Sequence, residues 1–271
     1  MEISNLSENQ AIKLLGVITL TDGYLQINKK RCRWELVTIP NFELHKISKD
    51  LFEKAFKISI SSFYKTKGKK YRSTEVSGKK YYLYLSKLKR ITKDNFKFLS
   101  GESKTFKEFA FRLAMDLEGS ISTKFCVKKK SYKNKLYYQF QFEPELKLSF
   151  TDTPKIENWI KISKDIGFKL TVNQDSRFES RMGGLRTSDK EQILKFYEIG
   201  GFATNGVISK SSSNNIVNNN DISKNEILKT ILYIFKNNSD LCSKYFQSKN
   251  EADDYRKWFV QEIFLPTRNK I

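Results

Sequence analysis

The sequence has few of the residues that cross-link chains or bind zinc. Among 271 residues there are three cysteines, one histidine and four prolines. Cys32, Cys126 and Cys242 lie far apart, with no Cys-x-x-Cys pair. We therefore expect neither a disulfide framework nor a zinc site, and we expect the reducing interior of a cell as the compartment.

Long apolar runs are also lacking. No run reaches the roughly 18 residues that a membrane-spanning helix needs, so we expect no membrane partner. The first ten residues, MEISNLSENQ, have neither the basic start nor the apolar centre of a secretion signal. We expect the protein in the cytoplasm, the nucleoid or an organelle matrix.

Acidic residues are scarce relative to basic ones. Lys and Arg number 50 against 30 Asp and Glu, which gives a formal net charge of +20 and a pI near 9.7. An excess of this size indicates a polyanionic partner, and nucleic acid is the first candidate.

Two related segments stand out against this basic background. LLGVITLTDGYL (14–25) and FRLAMDLEGSIS (111–122) are each an apolar helical run followed by one carboxylate, one glycine and the start of a strand. Asp22 closes the first run and Glu118 the second. If the two helices meet, the two carboxylates lie side by side, which is how a protein builds a two-metal site.

The elements around these segments repeat in the same order. Alternating apolar residues predict two strands after each carboxylate, and a helix follows each strand pair, at 42–56 and 154–168. A second strand pair follows, at 59–68 with 79–86 in one half and at 169–174 with 178–188 in the other. A helix closes each half, at 87–99 and 190–197. Capping boxes predict helix starts at Ser7, Thr105, Ser188 and Ser223.

This order, αββαββα, occurs twice and predicts an α+β fold built by pseudo-two-fold duplication. The first half spans residues 1–100, and the second half, with further C-terminal helices, spans 101–271. The strands of each half are expected to form an antiparallel sheet with helices on one face.

The motifs, their spacing and the repeated order resemble the LAGLIDADG homing endonucleases in their single-chain, two-motif form. The last acid of that signature corresponds to Asp22 and Glu118, and the resemblance covers the chain from about Ser7 to the C-terminal helices. It implies two antiparallel sheets that form a DNA-binding saddle, with the motif helices packed at its centre. Gly16, Thr19 and Thr21 are the small residues expected at that helix contact.

The same resemblance implies the metal chemistry. Asp22 and Glu118 would together hold two or more Mg²⁺ ions, with Mn²⁺ able to substitute, because magnesium favours carboxylate and phosphate oxygens plus water. Family members also use one lysine from each half to support the site. Lys104 and Lys210 occupy the corresponding places in this sequence.

Basic and amide side chains on hairpins and alternate strand positions are predicted to contact DNA phosphates and base edges. These candidates are Gln26, Lys29, Lys30, Arg31, Arg33, Lys70, Arg72, Lys128, Lys129, Lys130, Gln139, Gln141, Arg177, Arg181 and Arg186. His45 and Cys32 are expected to have no catalytic role.

We therefore predict a monomeric, metal-dependent endonuclease that cleaves both strands of a long, specific double-stranded DNA site. Two alternatives stay open on the same fold. One is an RNA-binding maturase that assists splicing of a group I intron, with intron RNA as its partner. The other is a DNA-binding regulator that does not cleave, against which the presence of both acids argues.

Overall fold

The computed structural model describes residues 2–28, 31–60, 63–67, 71–150, 152–175, 182–206 and 222–271. Its helices are α1 Glu8–Leu20, α2 Phe42–Phe56, α3 Tyr82–Thr92, α4 Lys104–Leu117, α5 Thr153–Asp165, α6 Lys190–Glu198, α7 Lys224–Asn237, α8 Lys249–Trp258 and α9 Leu265–Lys270. A short 3-10 helix, Asn95–Leu99, precedes α4, and a π-helical segment, Phe259–Phe264, joins α8 to α9. Among these described residues, no helix is both long and apolar enough to cross a membrane.

The strands form two sheets. They are β1 Gly23–Ile27, β2 Cys32–Thr38, β3 Lys65–Lys67, β4 Tyr71–Ser77, β5 Gly119–Tyr132, β6 Lys135–Leu148, β7 Thr171–Gln174, β8 Met182–Thr187 and β9 Ser243–Phe246. The first sheet has the order β1-β2-β4-β3 and is antiparallel throughout. The second has the order β5-β6-β8-β7, and β9 pairs with β6. The predicted α+β class and its two antiparallel sheets are confirmed.

By internal contacts the chain divides into two compact units. One contains residues 1–119, 148–185 and 202–206, and the other contains 120–147, 186–201 and 207–271. This division groups α4 with the first sheet. The predicted halves, 1–100 and 101–271, follow the repeated order of elements in the sequence instead, and they stay a prediction.

The core of the first unit is aromatic. The rings of Trp34 and Phe52 lie 4.6 Å apart between β2 and α2. Around the fully buried Trp159 of α5, the ring centroids of Phe96 and Phe111 lie at 4.9 and 5.8 Å. Large buried rings of this kind supply much of the hydrophobic stabilisation of a fold, and here they fix α4 and α5 together.

The second unit has its own aromatic core. Phe125 of β5 and Phe142 of β6 stack at 5.4 Å. Both rings contact Phe259 and Phe264 of the π-helical segment at centroid distances of 5.2 to 6.1 Å. The C-terminal helices therefore cover one face of the β5–β6 hairpin, as the apolar character of residues 253–266 predicts.

One strand prediction is wrong. Residues 79–86 were expected as a strand and 87–99 as a helix, but α3 begins at Tyr82 and β4 lies earlier in the chain. The side chains show why: Leu85 and Leu88 are buried, whereas Leu83 is 76% exposed. That spacing is helical, because residues three apart share a helix face.

Two of the four predicted capping boxes are also wrong. Ser7 and Ser223 form the boxes as expected. The first residue before α4 is instead Ser103, whose Oγ accepts from the Phe106 amide, and α6 is capped by Asp189, which accepts from the Glu191 amide. In both places a neighbouring residue offers the same acceptor chemistry, so spacing alone did not select the cap.

The long β5–β6 hairpin turns later than predicted. The basic stretch 128–133 separates the two apolar strand patterns and so predicts the turn there, but β5 continues to Tyr132 and the turn is Lys133–Asn134. Both turn residues have positive φ, at 47° and 62°, as a two-residue type I′ hairpin requires. Lys128, Lys129 and Lys130 therefore lie within β5 and not at the tip.

Candidate metal site and nucleic-acid interface

Both motif acids lie where a helix ends and a strand begins. Asp22 is exposed in the turn between α1 and β1. Glu118 caps the C-terminus of α4, and its amide donates to the Ala114 carbonyl at 2.9 Å. Since the C-terminus of a helix carries partial negative charge, each carboxylate adds to a potential that attracts cations.

The glycine after each acid is required by close packing. A Cβ added at Gly23 would lie 2.7 Å from the Cα of Thr19, and one added at Gly119 would lie 2.6 Å from the Cα of Met115. Real side chains do not tolerate such distances. In both motifs the strand therefore starts directly against the last turn of its own helix, four residues back, which fixes the position of the acid between them.

The two motif helices contact each other, as predicted. Gly16 does not mediate that contact: its Cβ position faces Phe98 and Ile91, at 3.0 and 3.4 Å. Thr19 Oγ1 accepts from the Trp34 indole at 2.9 Å, and Thr21 Oγ1 donates to the carbonyl of Val17 at 2.9 Å. The small residue Gly16 makes room for the 3-10 helix and α3, which the sequence pattern did not indicate.

Two residues that are six positions apart contact the ends of the motif helices. The Ser149 amide donates to the Glu118 carbonyl at 3.1 Å. Lys155 Nζ donates to the Leu20 carbonyl at 2.9 Å. Ser149 therefore contacts the C-terminal end of α4, and Lys155 contacts that of α1.

Lys155 was not among the candidates from the sequence. It lies in the first turn of α5, its side chain is only 21% exposed, and its ammonium lies 3.4 Å from Asp152. A lysine that donates to a terminal carbonyl satisfies an orphan group of α1 and opposes the negative helix end. Its sequence context shows no signal, because the contact joins residues 135 positions apart.

The second motif contains two acids, and the structure distinguishes their roles. Asp116 is buried and accepts from the Thr204 amide at 2.8 Å and from its hydroxyl at 3.2 Å. This carboxylate thus holds segment 202–206 against α4. Glu118, two residues later, lies at the helix end.

A magnesium-type site fits this donor set. Within the described ranges, no group of three or more His, Cys, Asp or Glu side chains is placed to hold a metal. Zinc and calcium sites need more protein ligands than two carboxylates. Magnesium keeps several waters and takes the rest from one or two carboxylates plus phosphate oxygens, which is the kind of donor set that Asp22 and Glu118 would supply.

Of the two predicted supporting lysines, the structure describes only Lys104, and it does not lie beside Glu118. Lys104 begins α4, a 14-residue helix, so it lies roughly 20 Å along the axis from Glu118 at 1.5 Å per residue. This placement argues against a direct role for Lys104 at the metal. Lys210 lies outside the described residues.

Each sheet has one face packed on helices and one face turned away from them, here called the open face. In the first sheet Trp34 and Leu36 are buried on the helix side, so the alternate residue Arg33 belongs to the open face. Gln26 lies directly opposite Arg33 and shares that face. Both were predicted DNA contacts, and this register keeps them available.

Two of the predicted base readers are engaged by other residues of the protein. Arg72 lies opposite Thr38, on the face that carries Leu36, and its guanidinium stacks over Tyr64 at 5.7 Å. Gln139 is only 6% exposed and donates to Ser243 Oγ of β9 at 2.9 Å. The sequence did not predict β9, which pairs with β6 at Gln139. Gln139 was therefore expected to be free to contact bases.

The other candidates fall into three groups. The second sheet contains Gln141, Lys128, Lys130 and Arg186, and Arg31 lies directly before β2. Lys129 alternates with Lys128 and so belongs to the opposite face. The remaining candidates, Lys29, Lys30, Lys70, Arg177 and Arg181, lie outside the described residues.

The candidates predicted from the sequence include none of the glutamates on the open faces of the two sheets. Arg33 lies 2.9 Å from Glu35 and 3.1 Å from Glu75. In the second sheet Arg186 and Lys124 pair with Glu145 at 3.4 and 3.1 Å, and Lys128 pairs with Glu143. Alternation in the sequence shows these acids, but their pairing depends on strand register.

The chain was compared with known proteins. Neither a family model nor a curated protein sequence matches it. Among solved structures it is similar to mesophilic variants of the homing endonuclease I-DmoI, at 17% identity and a TM-score of 0.43, covering 71% of this chain and 90% of that one. It is also similar to I-SmaMI bound to an uncleaved DNA target with calcium, at 12% identity and a TM-score of 0.49, covering 94% and 99%.

A further similar structure is the I-SmaMI LAGLIDADG homing endonuclease bound to cleaved DNA. Its identity is 12% and its TM-score 0.43, with 91% of this chain and 96% of that chain covered. These values describe a distant likeness.

Proposed function

We propose that the protein is a site-specific endonuclease that hydrolyses both strands of double-stranded DNA. Asp22 and Glu118 would each contribute one carboxylate to divalent metal, with Mg²⁺ as the natural ion and Mn²⁺ as a substitute. The open faces of the sheets would receive the DNA, and one chain supplies both motifs, so a monomer suffices.

The observation that carries this proposal is the contact between the two motif helices. The helices contact each other, Lys155 hydrogen-bonds to the last turn of α1 and Ser149 to the Glu118 carbonyl. Two acids that follow two contacting helices would be a minimal ligand set for metal-assisted phosphodiester hydrolysis. The net charge of +20 supplies the attraction for a polyanionic substrate.

The chain's own residues would act by position and charge. The strand-initiating glycines hold the acids at the helix ends, where a bound metal would make a water more acidic and stabilise the leaving oxygen. Lys155 fixes the end of α1 and places a cation near Asp22, where it would moderate repulsion between the carboxylates and an incoming phosphate.

The test is cleavage and binding by Asp22→Asn and Glu118→Gln variants. A plasmid library with randomised inserts and Mg²⁺ reports cutting, and a gel shift on the selected duplexes with Ca²⁺ reports binding. We expect each variant to lose cleavage by at least about a thousandfold, because the lost carboxylate is a metal ligand, while DNA affinity changes by less than about threefold.

Glu157→Gln is the matched control, because Glu157 is an exposed acid on α5, and it should cut like the wild type. Full activity in either motif variant would overturn the site. Wild-type protein that binds duplex DNA without cutting it in Mg²⁺ or Mn²⁺ would indicate a regulator. Tighter binding to structured intron RNA than to any selected duplex would indicate a maturase.

A further inference from the structure

Two glutamates lie directly opposite each other on the open face of the first sheet. Glu35 of β2 pairs in register with Glu75 of β4. Like charges directly opposite each other destabilise an antiparallel sheet. Glu35 is moreover only 5% exposed, which adds the cost of removing a carboxylate from water.

Two cations hold this unfavourable pair together. The Arg33 guanidinium lies 2.9 Å from Glu35 and 3.1 Å from Glu75, and Lys67 Nζ lies 2.6 Å from the other oxygen of Glu35. The four side chains form one network on the open face, here called the Glu35–Glu75 network. A single ion pair would satisfy Arg33, so the second acid is not needed to compensate its charge.

The network borders a surface that a ligand can reach. Arg33 and Glu75 line a cleft of about 730 Å³ together with Arg31 and Lys79. Arg33 is one third exposed and Glu75 is 30% exposed. The cleft therefore presents acceptors and donors side by side on a surface that is otherwise strongly basic.

The second sheet repeats the arrangement independently. Glu145 pairs with Lys124 at 3.1 Å and with Arg186 at 3.4 Å, and Glu143 pairs with Lys128. In both sheets, basic side chains suited to DNA contact are thus engaged by glutamates.

Carboxylates on a DNA-facing surface have a defined chemical effect. They repel phosphate, so a lysine or arginine paired with one contributes less to sequence-independent binding. They also accept a hydrogen bond from the cytosine amino group, and they orient arginine toward the acceptors of guanine in the major groove. Such groups weaken binding everywhere except at a matching sequence.

We propose that the Glu35–Glu75 network is a specificity determinant of the open face. Its glutamates hold Arg33 and Lys67 away from phosphates and restrict tight binding to duplexes whose bases satisfy the network. This inference rests on the proposed DNA-binding function, and it assigns Glu35 and Glu75 as positioning residues for Arg33.

The test measures DNA binding by Glu35→Gln, Glu75→Gln and the double variant under conditions in which the DNA is not cleaved. The two probes are a random-sequence duplex and a randomised duplex library. We expect the double variant to bind the random duplex about tenfold more tightly, with a salt slope steeper by roughly 1 to 2, because two cations become available to phosphates at about 0.9 per contact. The library should show a weaker base preference at the positions that the wild type selects.

Glu8→Gln is the matched control, since it removes one negative charge from an ion pair with Lys57 at 2.7 Å on α1. It should leave the affinity for the random duplex and the library preference unchanged. If Glu35→Gln does not fold, Glu75→Gln tests the inference alone, because Glu75 is far more exposed and its loss relieves the like-charge pair.

Unchanged affinity and unchanged base preference in folded Glu75→Gln would overturn the inference, as would a loss of stability without any effect on DNA. A wild-type protein with no salt-dependent binding to either probe would instead overturn the proposed function itself. The measurement on the wild-type protein therefore distinguishes a failure of this inference from a failure of the proposed function.

Discussion

His45, the only histidine of the chain, is fully buried in α2. Its Nε2 lies 2.9 Å from Thr38 Oγ1 and its Nδ1 lies 2.8 Å from Thr74 Oγ1. Burial lowers its pKa from 6.5 to about 4, so the ring is neutral in the folded protein at neutral pH. The residue ties α2 to β2 and β4, and its role is structural.

This pKa predicts a loss of stability in mild acid. Because the folded pKa lies below the unfolded one, the unfolded state binds the proton first, and stability falls as the pH drops from about 6.5 toward 4. Between pH 7 and pH 5 the histidine should cost about 2 kcal/mol, at 1.36 kcal/mol per unit of pKa shift. Urea unfolding at both pH values measures it, and His45→Gln should lose about 2 kcal/mol less over that interval. Equal losses in the two proteins would contradict a buried neutral ring.

At this scale the sequence located the motif acids but not their surroundings. Asp22, Glu118 and their glycines follow from a local pattern of helix, acid and strand. Lys155, and Glu75 as a partner of Arg33, depend on contacts between residues 42 to 135 positions apart. Short-range spacing contains no information on such contacts.

Each motif joins a helix to a strand, and the junction between α4 and β5 is more closely packed than the one between α1 and β1. A Cβ at Gly119 would lie 2.6 Å from the Met115 Cα and 2.8 Å from its Sδ. The backbone of a helix turn cannot move away without breaking its own hydrogen bonds, so a methyl group has to displace β5 relative to α4.

Gly119→Ala should therefore destabilise the protein by about 2 kcal/mol, in the range of overpacked core positions. Urea unfolding measures the change. Gly101→Ala is the control, because none of the described atoms lies within 4 Å of its Cβ position, and it should be neutral or slightly stabilising. If both variants unfold at the same urea concentration, the close approach does not constrain the motif.

Elements with strong periodicity were predictable, and elements held by distant pairing were not. The bounds of α2 agree with the sequence pattern, because its apolar stripe and its ends are both local features. The four residues of β9 show no alternation of their own and form a strand only through pairing with β6. The tyrosine-rich stretch at 79–86 suits both strand and helix, and tertiary burial of Leu85 and Leu88 decides for α3.

For the whole molecule, the excess of positive charge is the dominant electrostatic property. Lys129 and Lys130 are exposed near the end of β5, whereas Lys128 is engaged by Glu143. The open-face pairs thus reduce the charge that is available to phosphates below what composition suggests. Sequence composition predicts the sign of the partner's charge, but the number of effective phosphate contacts depends on these ion pairs.

If nucleic acid is the partner, the affinity for duplex DNA should fall with salt at a log–log slope of roughly −5 to −10. Replacing Lys128, Lys129 and Lys130 by Ala should flatten the slope by about 1, because each lost phosphate contact removes about 0.9, Lys128 is already paired and Lys129 belongs to the opposite face of the sheet. Fluorescence anisotropy over a series of salt concentrations measures both slopes, and base preference should stay the same.

The matched control replaces Lys249, Lys257 and Lys270 on α8 and α9, which removes the same charge from exposed helix positions. A wild-type slope near zero, or equal flattening by both triple variants, would show that the position of the charge on the sheet does not matter.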